Sequence, residues 1–295
     1  MTTGHDRYQF VRRLTAGGTS EIFLAYDMAA DGRPVALKRL FGNLAAEPSI
    51  AARFRHEAFL LAQLCHPAIP VLHEACCEGN QPYLTMAYIP SVDLATLLAS
   101  ECLPPGCALA AVFALLNALG HVHARRDPDG HWLRVVHRDV APSNVLITEA
   151  GTVALVDFGL ATSTALADTS PGVFTGTAGY LAPEAITGEA PVDLRADLFA
   201  AGIVLYEATV GTRLFPGNKL QAMHSATESR VPYPSEIRPD YPRAVEAVVL
   251  KALARMPEDR YASAEEMADD LARAARTVGW SASLKALGNL VRPRT

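Results

Sequence analysis

Three oxygen-bearing side chains stand at the ends of two short apolar segments near the middle of this 295-residue chain. Asp139 and Asn144 precede the apolar run 145–147, and Asp157 directly follows the run 153–156. A glycine-containing turn separates the two runs, which predicts a β-hairpin. Because a hairpin brings its outer ends together, we expect the three side chains to converge. Hard oxygen ligands suit Mg²⁺ and phosphate chemistry better than zinc, since no Cys/His pair accompanies them.

The order and spacing of these residues resemble a known family. His137-Arg138-Asp139, with Asn144 five residues after the Asp, followed by Asp157-Phe158-Gly159, is similar to the catalytic and metal-binding loops of protein kinases. Either triplet alone is a weak signal, whereas both in this order are a strong one. The resemblance implies that Asp139 accepts or orients the proton of the substrate hydroxyl. It also implies that Asn144 and Asp157 hold Mg²⁺.

A glycine turn lies between two predicted strands near the N-terminus, at 16–20. Backbone N–H groups of such a turn can approach a phosphate closely. Of the kinase pattern G-x-G-x-x-G-x-V the chain keeps the middle glycine, Gly17. The other positions hold Thr15, Ser20 and Ile22. Taken alone, the segment is equally compatible with an ordinary hairpin.

A lysine and a glutamate follow in the order that kinases use. Val35-Ala36-Leu37-Lys38 resembles the strand whose lysine grips the α- and β-phosphates of the nucleotide. Glu57, on a helix predicted over 49–64, falls where kinases place the acid that pairs with this lysine. Met86-Ala87-Tyr88-Ile89 resembles the kinase hinge, whose backbone faces adenine. The nucleotide-binding residues implied by the resemblance are Leu14, Gly17, Gly18, Ile22, Ala36, Lys38, Glu57, Met86, Ala87, Ile89 and Leu146.

A segment rich in Ser, Thr, Ala and Gly follows Gly159 and ends in Ala182-Pro183-Glu184, which resembles the end of a kinase activation segment. Within it, Thr177 matches the threonine on the substrate-facing loop of serine/threonine kinases. Arg138, beside the catalytic Asp, implies that a phosphate orders the segment. The candidate phosphorylation sites are Thr169 and Ser170, with Thr175 as a weaker choice. The alternative is that these hydroxyls are unmodified.

Two long-range contacts are also implied by the resemblance. Asp197 is expected to open an apolar helix over 198–209 and to bind the catalytic-loop backbone. Arg260 is expected to pair with Glu184. A final amphipathic helix is predicted over about 264–277, and we find no usable signal after Trp280.

Composition limits the function classes. Half of the residues are hydrophobic and the formal net charge is −5, which argues against nucleic acid or an anionic membrane as the main partner. The five cysteines match no metal-ligand spacing and indicate reduced thiols in a cytoplasmic protein. We find no signal peptide and no apolar run near the ~20 residues of a membrane span. The apolar stretch 107–116, which ends at Asn117, is interpreted as a buried helix.

The resemblance covers about 8–277 and is similar to bacterial members of the eukaryotic-type serine/threonine kinase family. It implies an α+β, bilobal fold with a small β-rich N-lobe carrying one long helix and a larger, mainly helical C-lobe. The expected organisation is a kinase domain over 1–280, with an N-lobe at about 8–88, a hinge at 86–90 and a C-lobe at 91–278. The remainder, 281–295, is a tail of unknown role.

The implied activity is transfer of the γ-phosphoryl group of Mg-ATP to Ser/Thr hydroxyls of proteins, including the chain's own activation segment. Protein substrates and a homodimer for trans-autophosphorylation are the expected partners. Ala141, however, replaces the lysine of serine/threonine kinases, and Ser143 stands where tyrosine kinases carry an arginine. Loss of one such charge-stabilising donor can cost about 10²–10³ in rate. Alternatives are therefore a nucleotide-binding or scaffolding pseudokinase and, less favoured, a small-molecule phosphotransferase.

Overall fold

A computed structural model describes residues 7–79, 81–99, 102–164, 176–228 and 231–291 of the chain. The spatial clustering of Cα atoms divides the chain after Pro90 into two compact units, 1–90 and 91–295. The first unit is built on a β-sheet and the second is mainly helical.

The first unit contains a five-stranded antiparallel sheet in the order β1-β2-β3-β5-β4. Its strands are Tyr8–Ala16 (β1), Ser20–Asp27 (β2), Arg33–Leu40 (β3), Leu72–Glu78 (β4) and Gln81–Ala87 (β5). Side chains alternate across the sheet, because successive residues of a strand point to opposite faces. Val35 and Leu37 belong to an apolar cluster on one face. Leu40 packs with Phe54 of the helix Pro48–Gln63 (α1) on the other.

The second unit holds a three-stranded sheet in the order β6-β7-β8 and most of the helices. The strands are Val92–Asp93 (β6), Val145–Ile147 (β7) and Val153–Leu155 (β8). The helices are Leu94–Leu98 (α2), Pro105–His123 (α3), Pro183–Thr187 (α4), Leu194–Val210 (α5), Lys219–Glu228 (α6), Pro234–Ile237 (α7), Arg243–Ala252 (α8), Ala264–Thr277 (α9) and Leu284–Val291 (α10). Short 3₁₀ turns cover Met28–Ala30, Pro142–Asn144, Ala178–Tyr180 and Pro257–Asp259.

Helices α3 and α5 form the centre of the second unit and pack against each other. Every residue from Ala196 to Val210 in α5 is buried. Helix α3 contains the apolar stretch 107–116 and continues through Asn117 to His123. Among the described residues, α3 alone is long and apolar enough to cross a membrane by length and composition, with a mean hydropathy of 1.6. Core helices of soluble proteins pass the same test, and 67% of this window is buried inside the fold, so the indication is weak.

Helix α5 begins earlier than the sequence analysis predicted. Asp193 is its N-cap, and its carboxylate accepts a hydrogen bond from the backbone N–H of Arg195 at 2.9 Å. The prediction that Asp197 opens the helix was therefore wrong. Asp197 lies in the first turn, and its side chain points to the catalytic loop instead of capping the helix.

Helix α10 was not predicted at all, because residues after Trp280 were judged to carry no signal. Leu284, Leu287 and Val291 recur at helical spacing, but eight residues give the pattern too little length to stand out. Leu287 is fully buried, and α10 packs on α3 and on β7. The end of the described chain is therefore part of the second unit.

Candidate active site

The carboxylate of Asp139 is held by hydrogen bonds to both of its oxygens. Oδ2 accepts from the side-chain amide of Asn144 at 2.8 Å. Oδ1 accepts from the backbone N–H and from the hydroxyl of Thr177, each at 2.8 Å. Because donors approach from two directions, the orientation of the carboxylate is fixed. Three residues that the sequence analysis singled out thus meet at one point in the second unit.

Asp197 supports the loop that carries Asp139. Its Oδ2 accepts from the backbone N–H of His137 at 2.8 Å, and its Oδ1 from that of Arg138 at 2.9 Å. The predicted bonding of Asp197 to the catalytic-loop backbone is confirmed. Arg138 has a positive φ of 67°, a conformation that non-glycine residues adopt rarely, and these two bonds hold it in place.

The Asp197 carboxylate stays ionised despite its burial. Burial alone raises its pKa, but the hydrogen bond from His123, at 2.8 Å, together with the nearby imidazoles and backbone N–H groups, brings the pKa below its usual value. The sequence analysis did not identify this role of His123. Its signal was a histidine at the end of an otherwise apolar helix.

His137 is fully buried next to Asp139. Its ring packs edge-on against Phe158, with the ring centroids 4.6 Å apart. The backbone N–H of Asp139 donates to its Nδ1 at 3.3 Å, which requires that nitrogen to be unprotonated. Burial lowers the pKa of His137, and the neighbouring carboxylates offset this only in part. The imidazole is therefore neutral at pH 7.

The hairpin β7–β8 brings Asn144 and Asp157 to the same end, as its pattern predicted. Val145 pairs with Leu155, and the N–H of Val156 donates to the carbonyl of Asn144 at 2.9 Å. The Asn144 amide nitrogen is bound to Asp139, so its oxygen is the atom available to a cation. The Asp157 carboxylate is exposed. One amide oxygen and one carboxylate fit Mg²⁺, which usually takes one or two carboxylates together with substrate phosphates.

Lys38 and Glu57 form an ion pair in the first unit. The ammonium of Lys38 lies 2.7 Å from Oε1 and 2.8 Å from Oε2 of Glu57. Lys38 is 5% exposed and Glu57 2%, so the pair is shielded from water. Strand β3 and helix α1 supply one partner each, and the pairing predicted from the sequence is confirmed. A buried pair of this kind fixes the position of the ammonium group.

The glycine turn between β1 and β2 is closed by a hydrogen bond from the N–H of Gly17 to the carbonyl of Ser20 at 2.8 Å. A side chain at Gly18 would meet open space. Thr15 and Ser20 lie in the flanking strands, where a Cβ atom causes no backbone strain. The two replaced glycines of the kinase pattern are therefore compatible with the observed hairpin.

The other predicted nucleotide-binding residues lie on strands or just after one. Ala87 ends β5, and its N–H donates to the carbonyl of Val71 at 2.9 Å, so this N–H is already bonded within the first unit. All of these residues are half-buried and have apolar side chains. In the first unit they are Leu14, Ile22, Ala36, Met86, Ala87 and Ile89, and in the second unit Leu146.

A family model described as protein kinase domain matches residues 8–271. The chain belongs to this family. Among curated relatives, it is 39% identical over 273 residues to Tyrosine-protein kinase MasK of Myxococcus xanthus, covering 90% of this chain and 42% of the relative. It is 38% identical over 280 residues to Serine/threonine-protein kinase PknB of Mycolicibacterium smegmatis, and this match covers 91% of this chain and 43% of the relative. The chain thus spans less than half the length of these relatives.

A solved structure has the same fold. The PknI kinase domain of Mycobacterium tuberculosis aligns with a TM-score of 0.68 and 29% identity, covering 93% of this chain and 98% of that one. The expected α+β, bilobal kinase fold is thus confirmed. The family match ends at residue 271, so α10 lies outside it.

In this kinase domain the end of the activation segment is anchored by a buried ion pair. Arg260 donates to Glu184 through both terminal nitrogens, and the predicted pairing is confirmed. Thr169, Ser170 and Thr175, the candidate phosphorylation sites, lie outside the described residues, and their role stays a prediction.

A second buried carboxylate near the substrate-facing loop was missed. The hydroxyl of Tyr180 donates to Oε2 of Glu207 at 2.6 Å, and the N–H of Leu214 donates to Oε1 at 3.1 Å. Burial raises the pKa of Glu207 and also that of Tyr180. The available signal was an acidic residue in the middle of an apolar helix, because a buried carboxylate requires partners.

Ala141 is fully buried in the catalytic loop and presents only a methyl group. The loop therefore has no amine at the position where serine/threonine kinases usually carry their lysine.

Proposed function

We propose that this chain is an ATP-dependent protein kinase that transfers the γ-phosphoryl group of Mg-ATP to serine and threonine hydroxyls of proteins. The observation that carries the proposal is the fixed carboxylate of Asp139, held by Asn144 and Thr177. Phosphoryl transfer depends mainly on positioning and charge neutralisation, and a preorganised carboxylate serves the first of these. Membership in the protein kinase family supports the same activity.

Each residue of the site would have a distinct role in the transfer. Asp139 would accept the proton of the substrate hydroxyl or orient that hydroxyl toward the phosphorus. Asn144 and Asp157 would hold Mg²⁺, which when bound neutralises phosphate charge. Lys38, fixed by Glu57, would steady the α- and β-phosphates. The glycine turn with Gly17 and Gly18 would cover them, and the apolar residues named above would enclose the base.

Preference for serine and threonine rests on Thr177 beside Asp139 and on the relatives named as serine/threonine kinases. Because one relative is named as a tyrosine kinase, phosphorylation of tyrosine must be measured as well. Ala141 predicts slower transfer than in kinases that retain the loop lysine, by about 10²–10³ if nothing else compensates.

Regulation, partners and location form the remaining part of the proposal. Arg138 would bind a phosphate on Thr169, Ser170 or, less favoured, Thr175, added by a second copy of the chain. The kinase domain would span 1–280, and the protein would act in the cytoplasm on protein substrates.

The proposal is tested by phosphate incorporation with Mg-ATP and mapping of the products by mass spectrometry. Wild type is compared with Asp139→Asn and with Asp127→Asn, a matched change at a carboxylate outside the site. We expect phosphate on Thr169 or Ser170 and on a generic protein substrate in wild type and Asp127→Asn, but not in Asp139→Asn. If none of the three proteins incorporates phosphate but ATP still raises the melting temperature, the chain binds nucleotide without transferring phosphate. Phosphate on tyrosine alone would revise the acceptor.

A further inference from the structure

The turn of the hairpin β7–β8 (residues 145–155, the catalytic hairpin) and helix α10 meet backbone to backbone. A Cβ atom added to Gly151, in the turn, would overlap the carbonyl oxygen of Leu284, and one added to Gly288 would overlap the carbonyl of Glu149. The same added atom at Gly288 would lie 2.6 Å from the N–H nitrogen of Gly151. Gly151 also has a positive φ of 81°, which favours glycine. Such close approach is possible only because both contact positions lack a side chain.

A second contact fixes the start of the same segment. The N–H of Ser283 donates to the carbonyl of Gly106 at 2.9 Å. A Cβ atom at Gly106 would lie 2.6 Å from the carbonyl oxygen of Ser281. Gly106 lies in the first turn of α3, and α3 also packs on β8 and on α10. The segment 281–291 is therefore tied to the helix beneath the hairpin and to the hairpin turn.

The hairpin links two residues of the proposed metal site. Asn144 directly precedes β7 and Asp157 follows β8 by two residues, so both strands run from the turn to the site. Each strand has only three residues, and a displacement at the turn is therefore transmitted over a short distance. Interiors packed this tightly pass on strain instead of absorbing it.

We propose that helix α10 is a positioning element for the catalytic hairpin, acting through the contact of Gly288 with the turn at Gly151. Its effect on phosphoryl transfer rests on the proposed function. A displacement of ~1 Å at reacting groups can cost about 10² in rate, so even a partial shift of Asn144 and Asp157 should be measurable.

The test compares Gly288→Val with Asn289→Val in the intact chain. Asn289 is exposed on the same helix, so its variant reports the effect of a β-branched residue on helix formation without the contact. Hydrogen exchange is measured at the N–H of Gly151, which bonds to Thr148, and, as a reference, at that of Gly211, the C-cap of α5, which bonds to Glu207. Turnover and KM for ATP are measured on the same samples.

We expect Gly288→Val to speed exchange at Gly151 about tenfold without changing Gly211, because the opening is local. We also expect kcat to fall about tenfold, with KM for ATP within about twofold of wild type, since positioning rather than binding is lost. Asn289→Val should resemble wild type in every readout. If exchange at Gly211 rises in parallel, the comparison moves to Gly288→Ala, whose smaller side chain disturbs the fold less.

Unchanged exchange at Gly151, or faster exchange with unchanged kcat, would overturn the proposal. A wild-type chain that transfers no phosphate would refute the proposed function instead. In that case exchange at Gly151 alone decides whether α10 holds the hairpin.

Discussion

Arg260 and Glu184 are joined by two parallel hydrogen bonds, each 2.7 Å long, between side chains that are 0% and 3% exposed. Arg260 also donates to the carbonyls of Ala254, Arg195 and Arg255. The guanidinium thus connects the end of the activation segment to the start of α5 and to the segment after α8. One side chain thus bonds two separate stretches of backbone and the side chain of a third segment.

Replacing Arg260 should strongly destabilise the kinase domain. We expect Arg260→Met to lower the free energy of unfolding by about 3–5 kcal/mol, because it leaves the Glu184 carboxylate buried without its partner. The exposed pair Arg255–Glu189, at 3.5 Å, is the control, and Arg255→Met should cost about 0–1 kcal/mol. Chemical denaturation measures both. Equal losses in the two variants would contradict this account of the buried pair.

His137 should make stability depend on pH between about 7 and 5. Its pKa is lowered in the fold, whereas the unfolded imidazole keeps a pKa of about 6.5. The unfolded state therefore binds the proton more readily, so stability is present above pH 6.5 and is lost as the pH falls. One histidine contributes a slope of up to about 1.4 kcal/mol per pH unit.

The slope is measured by denaturation at several pH values. His137→Phe should flatten it, whereas His131→Phe, at a side chain that is 81% exposed, should leave it unchanged. The same slope in wild type and His137→Phe would mean that other groups carry the pH dependence.

Thr177 should contribute to turnover through Asp139. Thr177→Val removes the hydroxyl that donates to Oδ1 but keeps the backbone N–H bond. A hydrogen bond to a charged group contributes about 1.5–3 kcal/mol, so we expect kcat to fall about ten- to a hundredfold. Thr177→Ser restores the donor and should recover most of the rate. Initial rates of phosphate incorporation decide this, and equal rates for the valine and serine variants would exclude a role for the hydroxyl.

The Lys38–Glu57 pair should stabilise the first unit as well as place the ammonium group. Glu57→Leu takes the carboxylate away from a buried lysine and should lower the free energy of unfolding by about 3–5 kcal/mol. Adding Lys38→Met to this variant should restore part of the lost free energy of unfolding, because the unpaired buried ammonium group is then removed as well. The exposed pair Lys251–Glu266, at 2.8 Å, serves as the control cycle and should show coupling of about 0.2–1 kcal/mol. A coupling energy no larger than in the control would contradict the prediction.

Local features of the site were predictable because they depend on short stretches of chain. The hairpin that carries Asn144 and Asp157 follows from two apolar runs and a glycine turn, and the structure contains it. The contacts of Asp197 and Arg260 could not be predicted from local patterns. These residues contact partners 59 to 76 residues away, and only the resemblance to kinases predicted those pairs.

The features that sequence reasoning missed depend on tertiary packing. Helix α10 is short, and its evidence is the close approach of Gly288 to a turn 137 residues earlier, which no local pattern reveals. Glu207 is explained only when Tyr180 and the N–H of Leu214 surround it. Asp193, in contrast, was a local error, since an aspartate before an apolar run is an ordinary N-cap signal.

Helix α3 gives the chain a hazard during synthesis. Its 19 residues are apolar enough to resemble a membrane span, and only packing against later elements, among them α5, α9 and α10, conceals them. A nascent chain that has not yet produced residues 194–291 would expose this surface to chaperones, to aggregation and to the protein-export machinery. Substitutions that loosen the late helices should therefore reduce the amount of protein in the cell before they alter its chemistry.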